Sequence, residues 1–273
     1  MGIEQFRYDG KRAVIVGGAT GMGAAAAALL ADLGASLVVL DVQDVPYPVE
    51  QAVRVDLRNP GSIDAALDEV GGPIDALFSC AGIAVDGIDL MKVNFIGHRH
   101  LIETAVARGY LPSGSAIAAI ASIGGLGWDR NTKQIRDFLE TPDFAGATAW
   151  MELHPDLAHY TFSKQALIAY CAWRAPSLLR QGIRINCIAP GPTMTPLMDA
   201  TQMWLDFEAD YRNVMGVPGA TAAQQAAPLV FLNSDAAIYV SGTVLNVDAG
   251  YVGGGTMGSI SAAVVDMLAP PIG

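Results

Sequence analysis

A phenol and an ammonium group stand four residues apart in Tyr160-Thr161-Phe162-Ser163-Lys164. On a helix this spacing puts both on one face. A free tyrosine titrates near ~10, too high for a base at neutral pH, but a neighbouring cation favours the phenolate. Such a pair can take a proton from a hydroxyl group and return it. Far upstream, Gly17-Gly18-Ala19-Thr20-Gly21-Met22-Gly23 has the composition of a loop that holds a pyrophosphate. Backbone N–H groups and a helix N-terminus favour the anion there. Gly17 permits the tight turn, Gly21 lets a ligand approach the backbone, and Gly23 allows close helix–sheet packing. Asp41 closes the next apolar run, where a carboxylate accepts from adenosine ribose hydroxyls and repels a 2′-phosphate. No lysine or arginine lies within residues 17–23, so NAD is expected rather than NADP. Asp56, at the end of another run, could contact the adenine amino group.

The elements that must position these groups follow from apolar periodicity. Short, largely apolar runs at residues 13–16, 36–40, 52–55, 74–78, 115–121, 183–188 and 243–247 predict seven strands. Helical patterns lie between them, one opened by Asn59-Pro60 and one carrying Tyr160 and Lys164. Strands apolar throughout, alternating with helices, predict a parallel sheet covered on both faces. The fold class is α/β: one doubly wound domain over residues 1–250, with no internal repeat. Two segments exceed that alternation. Residues 124–159 precede the Tyr160 helix and carry the apolar groups Ile135, Phe138, Leu139 and Trp150, Met151, Leu153. Residues 251–273 form a tail with Gly253-Gly254-Gly255, an apolar stretch over 260–268, and Pro270-Pro271.

Composition bounds the rest. Of 273 residues, 52% are hydrophobic and 16% charged, enough for a large core. The net charge of −11 argues against nucleic acid and anionic membranes as partners. Cys80, Cys171 and Cys187 lack C-x-x-C spacing and read as reduced, buried thiols. His98 and His100, two apart, point to different helix faces, so no metal site is expected. The first twelve residues lack an apolar signal segment, which predicts a soluble, cytoplasmic protein.

In this order the motifs resemble the single-domain branch of the short-chain dehydrogenase/reductase family. The likeness runs over about residues 11–250. It rests on the Gly17 loop, Asp41, Asp56, Ala81-Gly82, Val93-Asn94, Ile120-Ala121-Ser122, Tyr160-x-x-x-Lys164, Asn186-Cys187-Ile188-Ala189-Pro190-Gly191 and Thr195. It implies a seven-stranded, mostly parallel Rossmann-like sheet and a homodimer or homotetramer. It implies Tyr160 as base with Lys164 and Ser122 assisting, and Asn94 distorting its helix and holding a water. Gly17, Gly21, Met22, Gly23, Asp41, Asp56, Leu57, Ala81, Gly82, Tyr160, Lys164, Pro190, Gly191, Thr193 and Thr195 would hold the NAD. The family's Asn-Asn-Ala-Gly stands here as Ser79-Cys80-Ala81-Gly82, and its usual Thr before the first glycine is Val16. The long gap from Ser122 to Tyr160 is similar to the bacterial 3α-hydroxysteroid dehydrogenase/carbonyl reductase subgroup, whose insertion alters the subunit interface.

The expected activity is NAD-dependent interconversion of a secondary alcohol and a ketone on a bulky apolar molecule: a steroid, terpenoid or cyclic alcohol. Residues 196–217 would form a lid, rich in Met with Trp204, Phe207 and Tyr211. A non-catalytic NAD-sensing protein and a 3-oxoacyl-thioester reductase are the alternatives.

Overall fold

The computed structural model describes residues 2–198 and 202–261. Its centre is a seven-stranded, all-parallel sheet. In chain order the strands are β1 (Arg12–Val16), β2 (Ser36–Asp41), β3 (Gln51–Arg54), β4 (Ala76–Ser79), β5 (Ala116–Ile120), β6 (Arg184–Pro190) and, after a small β7–β8 pair, β9 (Val244–Val247). The spatial order is β3-β2-β1-β4-β5-β6-β9. All seven expected strands are present, with no end shifted by more than two residues. The fourth starts later because the Ile74 N–H already bonds the Tyr110 carbonyl. The chain leaves β1 toward β2 and returns on its other side to β4, so connections diverge at the β1/β4 seam. In such sheets a crevice opens there, beyond the carboxyl ends of the strands.

Successive strand residues serve opposite faces, as strand geometry requires. Val14, Val16, Leu77, Ile117 and Ala119 enter one core with α2 (Pro60–Val70), α4 (Gly97–Ala107) and α7 (Tyr160–Leu179). Ala13, Ile15, Phe78, Ala118 and Ile120 enter the other, with α1 (Gly21–Asp32) and α9 (Ala222–Asn233). Neither face of the central strands reaches water, which is why β1, β4 and β5 read as apolar runs, while the edge strands β3 and β9 are partly exposed.

Residues 124–159 hold α5 (Thr132–Leu139) and α6 (Phe144–Leu153), the latter capped by Asp143, which accepts from the Gly146 N–H. Phe138 anchors the segment. Its ring lies 5.0 to 5.7 Å from Trp150, Phe95 and Phe162, so α5 and α6 pack on α7 and on the helix that carries Asn94. That helix is one run in three parts: α3 (Ile88–Met91), a π-helical turn (Lys92–Ile96) and α4.

β7 (Thr193–Met194) pairs with β8 (Ala220–Thr221) and brackets the region of α8 (Gln202–Met215). This two-stranded sheet has no counterpart in the sequence reading, since two residues carry no periodicity. α10 (Tyr251–Thr256) converts the expected glycine-rich tail into a helix whose Tyr251 is fully buried among Tyr211 and Phe207. Residues 262–273, with most of the apolar stretch and Pro270-Pro271, lie outside the described residues. Among the described residues no helix is long and apolar enough to cross a membrane, and no cluster of metal-ligating side chains occurs.

Candidate active site

The carboxyl edge of the sheet carries a cleft of about 410 Å³. It runs from Asp41 and Asp56, past the Gly17 loop, to Ser122, Tyr160 and Thr193. Of the residues that the sequence assigned to catalysis or to the cofactor, all but Asn94 line it.

The glycine loop is built by exclusion. A Cβ at Gly23 would sit 2.0 Å from the Gly17 carbonyl oxygen, and one at Gly17 would sit 2.4 Å from the Ala81 backbone. Gly17 also has φ of +84°, which L side chains avoid. Gly21 differs: a Cβ there would meet only Thr195, at 3.7 Å. Hence Gly17 and Gly23 hold the loop against the sheet while Gly21 faces the opening. The first turn of α1 opens without a side-chain cap, unlike those of α2, α6, α7 and α9, which Asn59, Asp143, His159 and Thr221 cap. Uncapped N–H groups at a helix N-terminus are ready donors for a phosphate. Asp41 is nearly buried, with its carboxylate accepting from the Ala19 and Gln43 N–H groups, both at 2.9 Å. Asp56 is gripped by the Arg58 guanidinium at 2.8 Å, which holds its carboxyl below the ordinary value. The cleft therefore offers a carboxylate at one end, amide donors in the middle and hydroxyls at the other. This donor set suits a nicotinamide dinucleotide.

At the far end, Ser122 follows β5 and Tyr160 and Lys164 begin α7. The Ser122 hydroxyl accepts from the Gly124 N–H at 3.1 Å, which turns the chain away from the strand. Tyr160 is placed by its own backbone N–H, which donates to Asp86 at 2.9 Å. Burial raises the Tyr160 phenol above its ordinary value, and the facing Ser122 hydroxyl lowers it. In the chain by itself burial dominates and the phenol stays protonated at neutral pH. Lys164 has its ammonium 5.5 Å from the Tyr160 ring centroid and donating to the Ile120 carbonyl at 3.0 Å. It is only 4% exposed, and burial brings it down to about 8. Trp204, from α8, meets the Tyr160 ring edge-on at 4.9 Å and roofs this end. Thr193 and Thr195 line the same end, the Thr193 hydroxyl donating to the Gly191 carbonyl at 2.9 Å.

Asn94 lies behind the cleft, fully buried in the π-helical turn. Its carboxamide accepts from the Ile83 N–H at 2.8 Å and donates to the Ile83 carbonyl at 3.0 Å and to Ser163 at 3.3 Å. The helix is irregular at Asn94, and its side chain is spent on Ile83 and Ser163. Sequence reasoning also passed over Gln43, Arg58 and Ile83 as lining residues. Arg58 had a signal, standing two residues beyond a strand-end aspartate. Ile83 had none, since the turn after Gly82 sets its direction.

Comparison with known proteins agrees with this geometry. Residues 11–131 match the sequence profile described as short chain dehydrogenase, and residues 146–252 match that described as enoyl-(acyl carrier protein) reductase. The chain is 27% identical over 246 residues to coniferyl-alcohol dehydrogenase of a Pseudomonas species, covering 88% of this chain and 96% of that one. It is 30% identical over 249 residues to 3-alpha-hydroxysteroid dehydrogenase/carbonyl reductase of Comamonas testosteroni, covering 87% and 95%. The 3-alpha-hydroxysteroid dehydrogenase of Pseudomonas sp. B-0831, solved with NADH, superposes with a TM-score of 0.73 at 26% identity, covering 91% of this chain and 99% of that one. The fold and the cleft at its switch point define a nucleotide-binding oxidoreductase. The chain belongs to the short-chain dehydrogenase family, whose members bind nicotinamide cofactors.

Proposed function

We propose that the chain is an NAD(H)-dependent oxidoreductase that interconverts a secondary alcohol and a ketone on a bulky, uncharged, apolar substrate such as a steroid, terpenoid or cyclic alcohol. One observation carries the reading: the partly buried Tyr160 lies beside Ser122 and Lys164 at the cleft end roofed by Trp204.

When bound, the dinucleotide supplies the hydride acceptor or donor. Tyr160 takes the hydroxyl proton in oxidation and returns it in reduction. Its phenol needs help against burial, and the Lys164 charge together with the cationic oxidised nicotinamide supplies it. Ser122 donates to the substrate oxygen and stabilises charge developing there. Lys164 and Asp41 hold the two riboses, the first turn of α1 the pyrophosphate, and Thr193 and Thr195 the carboxamide. Asp41 and the lack of a cation in the glycine loop favour NAD over NADP. Among the described residues, those of the roof that line the cleft, Pro196, Leu197, Met198, Trp204 and Phe207, are aromatic or aliphatic. The relatives named for coniferyl alcohol and hydroxysteroids support a ring-bearing alcohol. Residues 196–217 serve as the lid, and the working unit is a homodimer or homotetramer in the cytoplasm.

The test is a screen for NAD⁺ and NADP⁺ reduction over steroid, terpenoid and cyclic alcohols, with 3-oxoacyl thioesters as the reverse-direction arm. Turnover of a ring alcohol with NAD⁺ is expected. Tyr160→Phe should lower kcat by about 10²–10⁴ while NADH still binds. Near-normal kcat in that variant removes the base from the scheme. Preferred turnover of a 3-oxoacyl thioester favours the acyl-reductase reading.

A further inference from the structure

The strand-end segment Ser79-Cys80-Ala81-Gly82 departs from the family pattern in its first two side chains, and the structure shows what replaces them. Ser79 and Ala81 both meet His98, a histidine that the scheme above does not use. His98 Nδ1 lies 2.5 Å from the Ser79 hydroxyl, and Nε2 lies 3.0 Å from the Ala81 carbonyl oxygen. A carbonyl only accepts, so Nε2 carries the proton and donates. Nδ1 must then accept from the Ser79 O–H. The ring is 1% exposed. Burial lowers it to about 4, the bond to Ala81 opposes this, and the nearby Lys164 charge pushes it further down.

His98 stands one turn after Asn94 on the same run of helix. Between them the two side chains hold alternate residues of one segment: His98 holds 79 and 81, Asn94 holds 83. Cys80, Ala81, Gly82 and Ile83 of this segment all line the cleft. This segment has no slack against the glycine loop, where a Cβ at Gly17 would strike Ala81 at 2.4 Å, and Gly82 neighbours Lys164, a Cβ there making ordinary contact 3.7 Å from Nζ. A shift of Ala81 is therefore passed directly to the glycine loop, next to the position of Lys164.

We infer that His98 is a positioning residue for the dinucleotide: as a neutral Nε2–H imidazole it fixes the Ala81 carbonyl and the Ser79 strand end, and thereby the floor on which the Gly17 loop and Lys164 are set. The inference rests on the reading of the cleft as a nicotinamide-dinucleotide site.

Three variants and one spectrum test it. His98→Leu leaves the Ser79 hydroxyl and the Ala81 carbonyl without partners. NADH affinity, followed by fluorescence on folded protein, should fall about tenfold. His98→Gln can accept and donate through its carboxamide and should bind NADH within about threefold of wild type. A purely structural histidine would lower the thermal midpoint in both variants and leave the affinity of the folded fraction alone. Ser79→Ala removes one anchor and is expected to fold even where His98→Leu does not; a several-fold loss of NADH affinity is expected from it. Nitrogen NMR of the wild type should show His98 as the Nε2–H tautomer, without titration near the ordinary histidine pKa of ~6.5. An Nδ1–H tautomer, or His98→Leu and Ser79→Ala binding NADH as wild type does, overturns the inference. A wild-type chain that binds neither NADH nor NADPH overturns the reading of the cleft itself, and this inference with it.

Discussion

The floor of the cleft and its roof are built by different rules. The floor is backbone against backbone, Gly23 on Gly17 and Gly17 on Ala81, with contacts that leave no room for one methyl group, and the His98 ring holds the Ala81 carbonyl from behind. The roof is a chain of aromatic edges, from Tyr160 to Trp204 at 4.9 Å, Trp204 to Phe207 at 6.4 Å and Phe207 to Tyr251 at 6.2 Å. Edge-to-face pairs contribute about 0.5–1.5 kcal/mol each and tolerate small rotations, whereas a backbone overlap cannot be relieved by turning a side chain. A floor of this kind commits the protein to one cofactor shape. A roof of this kind can be remodelled by substitution without disturbing the floor, which leaves substrate choice open to change.

Gly23→Ala should produce the largest break. Its methyl group would lie 2.0 Å from the Gly17 carbonyl, so the loop must move. NADH affinity is expected to fall by about 100-fold, with a stability loss of about 1–3 kcal/mol from overpacking. Fluorescence titration and thermal unfolding read both. An unchanged affinity would mean that the floor is compliant.

A middle-sized effect concerns the charge kept in the floor. Lys164 has its value lowered from 10.5 to about 8 by burial. Between those pH values the unfolded chain binds more protons at this site than the folded one, so stability rises with pH there. Below pH 8 the full cost of the buried ammonium is present. The slope is bounded at about 1.4 kcal/mol per pH unit. Burial raises the Cys80 thiol from 9.0 to about 12 and acts in the opposite sense at the upper end of the window. The informative quantity is therefore the difference between wild type and Lys164→Met in unfolding midpoints at pH 8 and pH 9. The variant should lose the upward contribution, and parallel profiles would show that the ammonium is not held at a cost.

The smallest effect on the floor should come from the roof. Trp204→Ala is expected to leave NADH affinity within about twofold and to lower kcat/KM for the substrate about tenfold, as removing an aromatic contact surface would. A tenfold change in NADH affinity would erase the distinction between floor and roof.

Much of the floor was legible because its signals are local. Gly17, Gly21 and Gly23 lie within seven residues, and Asp41 ends the next strand. The partners of Ser79 were not legible. Its contact, His98, is 19 residues away and looked like half of an uninformative His98/His100 pair. In the structure the two rings serve different neighbours, His98 the β4 end and His100 the Asp64 carboxylate at 3.0 Å. The state of Tyr160 was legible only in part. Spacing placed it beside Lys164, but the burial that raises it comes from α8 and β5, which no spacing rule describes.

By itself, the order of residues determined the seven strands of the main sheet, the glycine turn that opens α1 and the helix face shared by Tyr160 and Lys164. Each depends on backbone geometry repeated over a few residues. Tertiary structure decided which strand ends meet around the cleft, how dry the phenol and ammonium become, and which histidine holds the floor. Those depend on low-dielectric surroundings assembled from elements far apart in the chain, and no local pattern carries them.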